Sequence, residues 1–190
     1  KSIRAKSVRS LLVTSAVRKE GRTQTVANLA VILASIEGSR TLLIDADLRH
    51  PKLHEIFRVQ GGPGLSELLQ GTFPLDAVIR TTQIDNLQII PSGHTLQGSA
   101  ELFHSPRLAE AIGTLKTRYD VLLFDSPPVI PYADAIILAG YAEGILLVVK
   151  ARETRREVVR RAKELLNQSE EKCIGVVLNS IEYVIPRPIY

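Results

Sequence analysis

Six short apolar runs, separated by segments of helical period, restrict this sequence more than any other feature. They occupy residues 11–14, 41–44, 87–90, 121–124, 144–149 and 174–178, and each is nearly continuous in apolar side chains. A strand buried on both faces reads this way, as in a parallel sheet covered by helices. Between the runs lie amphipathic stripes. Residues 25–35 carry Val26, Leu29, Ala30 and Leu33; residues 105–117 carry Leu108, Ile112 and Leu115; residues 155–167 carry Val158, Val159, Ala162, Leu165 and Leu166. Spacings of three and four place each set on one helix face. Repeated strand–helix–strand units predict an α/β fold with a doubly wound, mostly parallel sheet flanked by helices. Between Pro51 and Pro91, glycines and prolines at 61–64, 71 and 74 predict small helices and turns.

A chain of 190 residues suits one domain, read as 1–190 with a basic segment at 1–9 and a tail at 180–190. The lone cysteine, Cys173, leaves no internal disulfide and too few thiols for a structural zinc or iron–sulfur site. His50 and His54 have helical spacing but no evident third ligand, so they read as surface polar residues. No run of 18 apolar residues is present, as a membrane-spanning helix requires. The net charge of +4 is uneven: residues 1–22 hold seven Lys or Arg against Glu20 alone. Such a segment can face anionic lipid or an acidic partner, or stay solvated. Aromatics make up 5% and do not interleave with the basic residues, which argues against nucleic-acid binding.

In doubly wound folds, ligands bind where strands lead into helices. The first such loop, TSAVRKEGRTQT at 14–25, sits where a phosphate loop would. Against the pattern G-x-x-x-x-G-K-[ST], Ala16 stands for the first glycine and Arg22 for the lysine, while Gly21 and Thr23 match. Gly21 permits close backbone approach, and the helix start behind it offers free amides and partial positive charge. Thr23 can offer a hydroxyl to Mg²⁺. Arg22 keeps the charge but not the shape of lysine. Two later strands end in acids. LLIDADLR at 42–49 sets Asp45 and Asp47 two residues apart, on one side if the strand continues. VLLFDSPPV at 121–129 ends its strand in Asp125, which suits a Mg²⁺-orienting carboxylate.

Taken in this order, the motifs resemble the cytoplasmic domain of bacterial tyrosine kinases, the chain-length regulators of capsule and exopolysaccharide export. The resemblance runs from about Ser10 to Asn179 and includes GLSELLQG at 64–71, IIPSG at 89–93, ELFHSPRL at 101–108 and GVVLN at 175–179. It implies a P-loop NTPase-like fold, ATP and Mg²⁺ as cofactors, and phosphoryl transfer to tyrosine. Ala16, Gly21, Arg22, Thr23 and Gln24 would surround the phosphates. Thr23, Asp47 and Asp125 would hold Mg²⁺. Asp45, Asp47 and Arg22 would serve catalysis, and Asn179 would reach the adenine. Tyr183 and Tyr190 are the candidate phosphate acceptors. The resemblance also implies a homo-oligomer, a membrane-anchored activator or a transmembrane region of its own, the polysaccharide export machinery as partner, and a place on the cytoplasmic face of the bacterial inner membrane.

The loop departs from the family's Pro-Gly-x-Gly-Lys, reading Arg18-Lys19-Glu20-Gly21-Arg22. No glutamate in residues 1–9 matches the family's ring-forming helix. Three readings stay open: an autokinase with an unusual loop, a catalytically impaired pseudokinase acting as an assembly module, and a partition-type ATPase.

Overall fold

The computed structural model describes residues 8–94, 99–167 and 173–181. Tyr183, Tyr190 and most of the basic N-terminal segment lie outside the described residues. Seven strands form one sheet, β1 (Ser10–Ser15), β2 (Thr41–Asp45), β3 (Arg80–Thr81), β4 (Leu87–Ile90), β5 (Val121–Asp125), β6 (Gly144–Lys150) and β7 (Cys173–Asn179). Their order is β3-β4-β2-β5-β1-β6-β7. Every pairing is parallel except that of β3 with β4. The six apolar runs become β1, β2, β4, β5, β6 and β7; β3, only two residues long, carries no pattern a sequence reading could detect.

Eight helices complete the described chain: α1 (Arg22–Ala34), α2 (Leu53–Phe57), α3 (Leu65–Gln70), α4 (Leu75–Val78), α5 (Ser99–Leu102), α6 (Pro106–Arg118), α7 (Asp134–Ala139) and α8 (Arg156–Asn167). Two apolar cores sandwich the sheet. One gathers Leu11, Val13, Leu43 and Leu123 against Val26, Ala27, Ala30 and Ala34 of α1 and Leu53 of α2. The other gathers Leu12, Leu42, Ile44, Leu122 and Phe124 against α3, α4, α6, α7 and α8. Alternate residues of one strand thus enter opposite cores, which is why the central runs lack a polar face. Each fully buried leucine or phenylalanine stabilises by about 1.5–3 kcal/mol.

Two expectations need correction. The buried stripe of α1 is Val26, Ala27, Ala30 and Ala34, whereas Leu29 and Leu33 are only partly covered. Three alanines let the helix axis approach the sheet closely, so the small residues face inward. β7 is not buried on both faces: Ile174, Val176 and Leu178 are 44–54% exposed. Among the described residues it is an edge strand, paired only with β6.

Candidate functional site

The sheet order places β2, β5 and β1 side by side, so their carboxyl ends bring together three loops distant in sequence. Main-chain bonds stitch the loops. Ala46 N donates to Asp125 O at 2.8 Å, Ser126 N to Val13 O at 3.2 Å and Val129 N to Ser15 O at 2.9 Å. The Thr14 hydroxyl donates to Pro127 O at 2.9 Å.

The loop between β1 and α1 is braced from inside. Glu20 is 2% exposed. Its carboxylate accepts from Val17 N at 2.8 Å, from Lys150 N at 3.4 Å and from the Thr154 hydroxyl. Lys19 and Gly21 take left-handed backbone angles, φ 65° and 86°. A Cβ at Gly21 would lie 1.8 Å from Asn179 Nδ2. That same nitrogen donates to Glu20 O at 3.0 Å, so Asn179 supports the loop from behind. Ala16 is fully buried in the core at the loop's start. The loop then feeds α1, whose first helical bond runs from Thr25 N to Gly21 O at 2.9 Å. Amides ahead of Thr25 have no intrahelical partner and point out of the helix start. Gln24 lines the cleft in front of them, its amide bonded to Asn28 at 3.0 Å.

The acids divide their labour. Asp45 ends β2 and is fully buried. Its oxygens accept from the main-chain amides of Asp47, Lys52 and Leu53 at 3.1–3.3 Å, which anchors the start of α2. Burial, followed by the nearby Asp125 charge, pushes its carboxyl well above the usual range, against the opposing hydrogen bonds. Strand β2 stops at Asp45, so the alternation expected to align Asp45 with Asp47 ends there. Asp47 Oδ1 accepts from the amides of Arg49 and His50 at 3.3 and 3.1 Å, which fixes the turn. Arg49 reaches Asp134 at 3.2 Å and stacks 4.5 Å above the Tyr132 ring, tying this turn to α7.

Arg22 joins the two remaining acids. Its side chain is 10% exposed; Nε donates to Asp125 Oδ1 at 2.6 Å and Nη2 to Asp47 Oδ2 at 2.7 Å. Nη2 also lies 3.5 Å from the Thr23 hydroxyl, which bears on Asp125 as well. Burial alone would lower the Arg22 pKa, but Asp125 and Asp47 outweigh it and the net shift is upward. Burial pushes Asp125 up, opposed chiefly by Arg22. Thr23, Asp47 and Asp125, the residues expected around Mg²⁺, therefore converge on the guanidinium of Arg22. Sequence reading finds all four but not their pairing, and it assigns no part to Glu20, Arg49 or Asp134.

The cleft over the loop has a volume of about 260 Å³, and its lining includes Arg18, Lys19, Gly21, Asp47, His50 and Lys52. Of the three acids only Asp47 lines it.

An AAA domain family matches residues 18–172. The tyrosine-protein kinase YwqD of Bacillus subtilis is 34% identical over 174 residues, 92% of this chain and 73% of its own. The chain belongs to the bacterial tyrosine-protein kinase family. The kinase domain of the Escherichia coli tyrosine kinase ETK superposes with a TM-score of 0.90 at 26% identity, covering 96% of this chain and 71% of that one. The septum site-determining protein MinD of Pyrococcus horikoshii, solved with Mg-ADP, gives 0.75 at 25% identity, over 90% and 69% of the two chains. Membership in the family agrees with the mostly parallel, P-loop NTPase-like sheet.

Proposed function

We propose that the cleft binds the polyphosphate of a nucleotide. The chain would serve as the nucleotide-binding domain of a tyrosine-kinase-type regulator of capsular or exopolysaccharide synthesis and export, and its reaction class would be phosphoryl transfer from ATP to tyrosine. The observation that carries this reading is the left-handed Gly21 opening a 13-residue helix directly beside Asp47 and Asp125. A glycine turn at a helix start presents free amides and positive potential to phosphate. Arg18 and Lys19 at the cleft add positive charge, Lys52 beside them pairs with Glu55 at 3.1 Å, and Glu20 is turned inward. The Mg-ADP of the related MinD supports a nucleotide as the ligand.

The residues present fit a phosphate chain. They do not fit a divalent cation as the side chains stand, because both carboxylates are bonded to Arg22. The chain's own groups can still be assigned. The loop amides and Arg18 would take up phosphate charge. Asp47, once released by Arg22, is the carboxylate placed to receive the phenolic proton. The tyrosine oxygen would then bond the γ-phosphorus, and the bond from that phosphorus to the β–γ bridging oxygen would break, leaving ADP.

The paired state of Arg22 favours a second reading, a regulatory module that binds nucleotide without turning it over. The two separate in one experiment: titrate ADP into the purified chain by calorimetry, then follow transfer of labelled phosphate from ATP to a tyrosine peptide. Binding with transfer above an Asp47→Asn control supports the kinase. Binding without transfer supports the module, and no binding removes the nucleotide altogether. By the same family reading the chain works as a homo-oligomer on the cytoplasmic face of the inner membrane, joined to a membrane-anchored activator or its own transmembrane region. Its basic residues before β1 would lie against anionic lipid. Among the described residues, no helix is long and apolar enough to cross a membrane.

A further inference from the structure

Three groups that a phosphate-loop site would devote to a divalent ion are the Thr23 hydroxyl and the carboxylates of Asp47 and Asp125. All three face Arg22, at 3.5, 2.7 and 2.6 Å. The two short contacts have the length of charge-assisted bonds. They come from different guanidinium nitrogens and reach acids on different segments, Asp47 in the turn after β2 and Asp125 at the end of β5. A planar fork can do this, whereas a compact ammonium acts as a point charge. The guanidinium cannot shed its proton, so it stays a cation however dry the site becomes. Mg²⁺ needs oxygens at about 2.0–2.1 Å in near-octahedral array and gives up its own water reluctantly. It would need the same oxygens that Arg22 holds, in a place where the side chain is 10% exposed.

We propose that Arg22 is the resident cation of this site: it fills the divalent-metal position between Asp47 and Asp125, and the chain takes a nucleotide polyphosphate in its metal-free form. The phosphate charge is then met by the helix-start amides and by Arg18 and Lys19 around the cleft. The polyphosphate half of this inference rests on the nucleotide reading above; the cation half does not. Arg22 leads α1 directly after the left-handed Gly21, and its side chain meets Asp47 and Asp125 at the wall of the cleft, which Arg22 and Asp47 both line. One residue thereby uncouples phosphate binding from the metal that the acids would otherwise recruit.

The test has two arms. In the first, Mn²⁺ is titrated into the nucleotide-free chain and bound metal is read by electron paramagnetic resonance. The native chain is expected to leave Mn²⁺ free. Arg22→Gln is expected to bind it at least tenfold more tightly, and Arg22→Gln with Asp125→Asn is expected to lose that gain. Equal Mn²⁺ affinity in native and Arg22→Gln chains, with the variant folded by thermal melt, overturns the proposal. In the second, ADP is titrated into the native chain in Mg²⁺ and then in EDTA. Affinities within twofold are expected, and a tenfold or larger fall in EDTA overturns the proposal even where Arg22→Gln does not fold. Should ADP bind in neither condition, the nucleotide reading and the polyphosphate half fall together, and the first arm alone decides the cation half: a gain in Mn²⁺ affinity in Arg22→Gln upholds it, and equal affinity in the two chains, or tight binding by the native chain, overturns it.

Discussion

At Arg22, exchanging an ammonium for a guanidinium changes what one side chain can reach. The fork spans Asp47 and Asp125 together, and both acids are then spent on protein. Arg22→Lys should release at least one of them. A single well-placed donor to charge that develops in a transition state contributes about 3–4 kcal/mol, so transfer in Arg22→Lys should rise about 10²- to 10³-fold and become Mg²⁺-dependent. A single-turnover assay with labelled ATP, with and without EDTA, checks both effects; an unchanged rate counts against them. Gly21 is the other sensitive residue. At φ 86° a side chain is strained, and the new Cβ would meet Asn179 Nδ2. Gly21→Ala should cost about 1–3 kcal/mol of stability and displace Asn179 from Glu20. ADP affinity should fall at least tenfold, as read by calorimetry beside a thermal melt.

Among the elements, α3 shows how a short helix is held. It has six residues and starts from Gly64, which has no side chain to cap it. Glu67 supplies the missing half: its carboxylate accepts from Gly64 N at 2.7 Å and from His94 N at 3.1 Å, and it pairs with the His94 ring. Partial burial pushes the Glu67 carboxyl up, but the Gly64 amide and His94 outweigh it and hold the group at about 2. A depressed carboxyl stabilises the fold fully above its unfolded value, near 4.5, and loses that contribution as pH falls toward 2. Glu67→Gln should therefore match the native chain near pH 2. At pH 7 it should be less stable by about 2 kcal/mol, after allowance for the exposed His94 ring. Denaturant melts at the two pH values decide this; an equal loss at both would mean that packing, not charge, is responsible.

The whole molecule depends on a sheet sandwiched by two cores, with Phe124 on β5 1% exposed one residue before Asp125. Phe124→Ala should cost about 3–5 kcal/mol. For a domain of this size that lowers Tm by about 10 °C. Because β5 also carries Asp125, the cavity should loosen the acid end of the sheet, and ADP affinity should fall at temperatures where the fold is still intact. Calorimetry at two temperatures below the melt reads this directly; temperature-independent affinity would show that the site is buffered from its core.

What the sequence determined by itself was local. Apolar runs and helical stripes depend on neighbours two to four residues away, so the six main strands, α6 and α8 could be read directly. The same holds for the positions of Gly21, Thr23, Asp47 and Asp125, whose motifs are short and follow recognisable elements. The tertiary structure alone decided what depends on distant contacts. Arg22 meets partners 25 and 103 residues away, and Asn179 braces a loop 159 residues before it. The exposure of β7 follows from its place at the sheet edge, and the inward turn of the α1 alanines follows from how closely that helix packs. Each of these is set by which chain segments lie side by side, and composition and period carry no record of that.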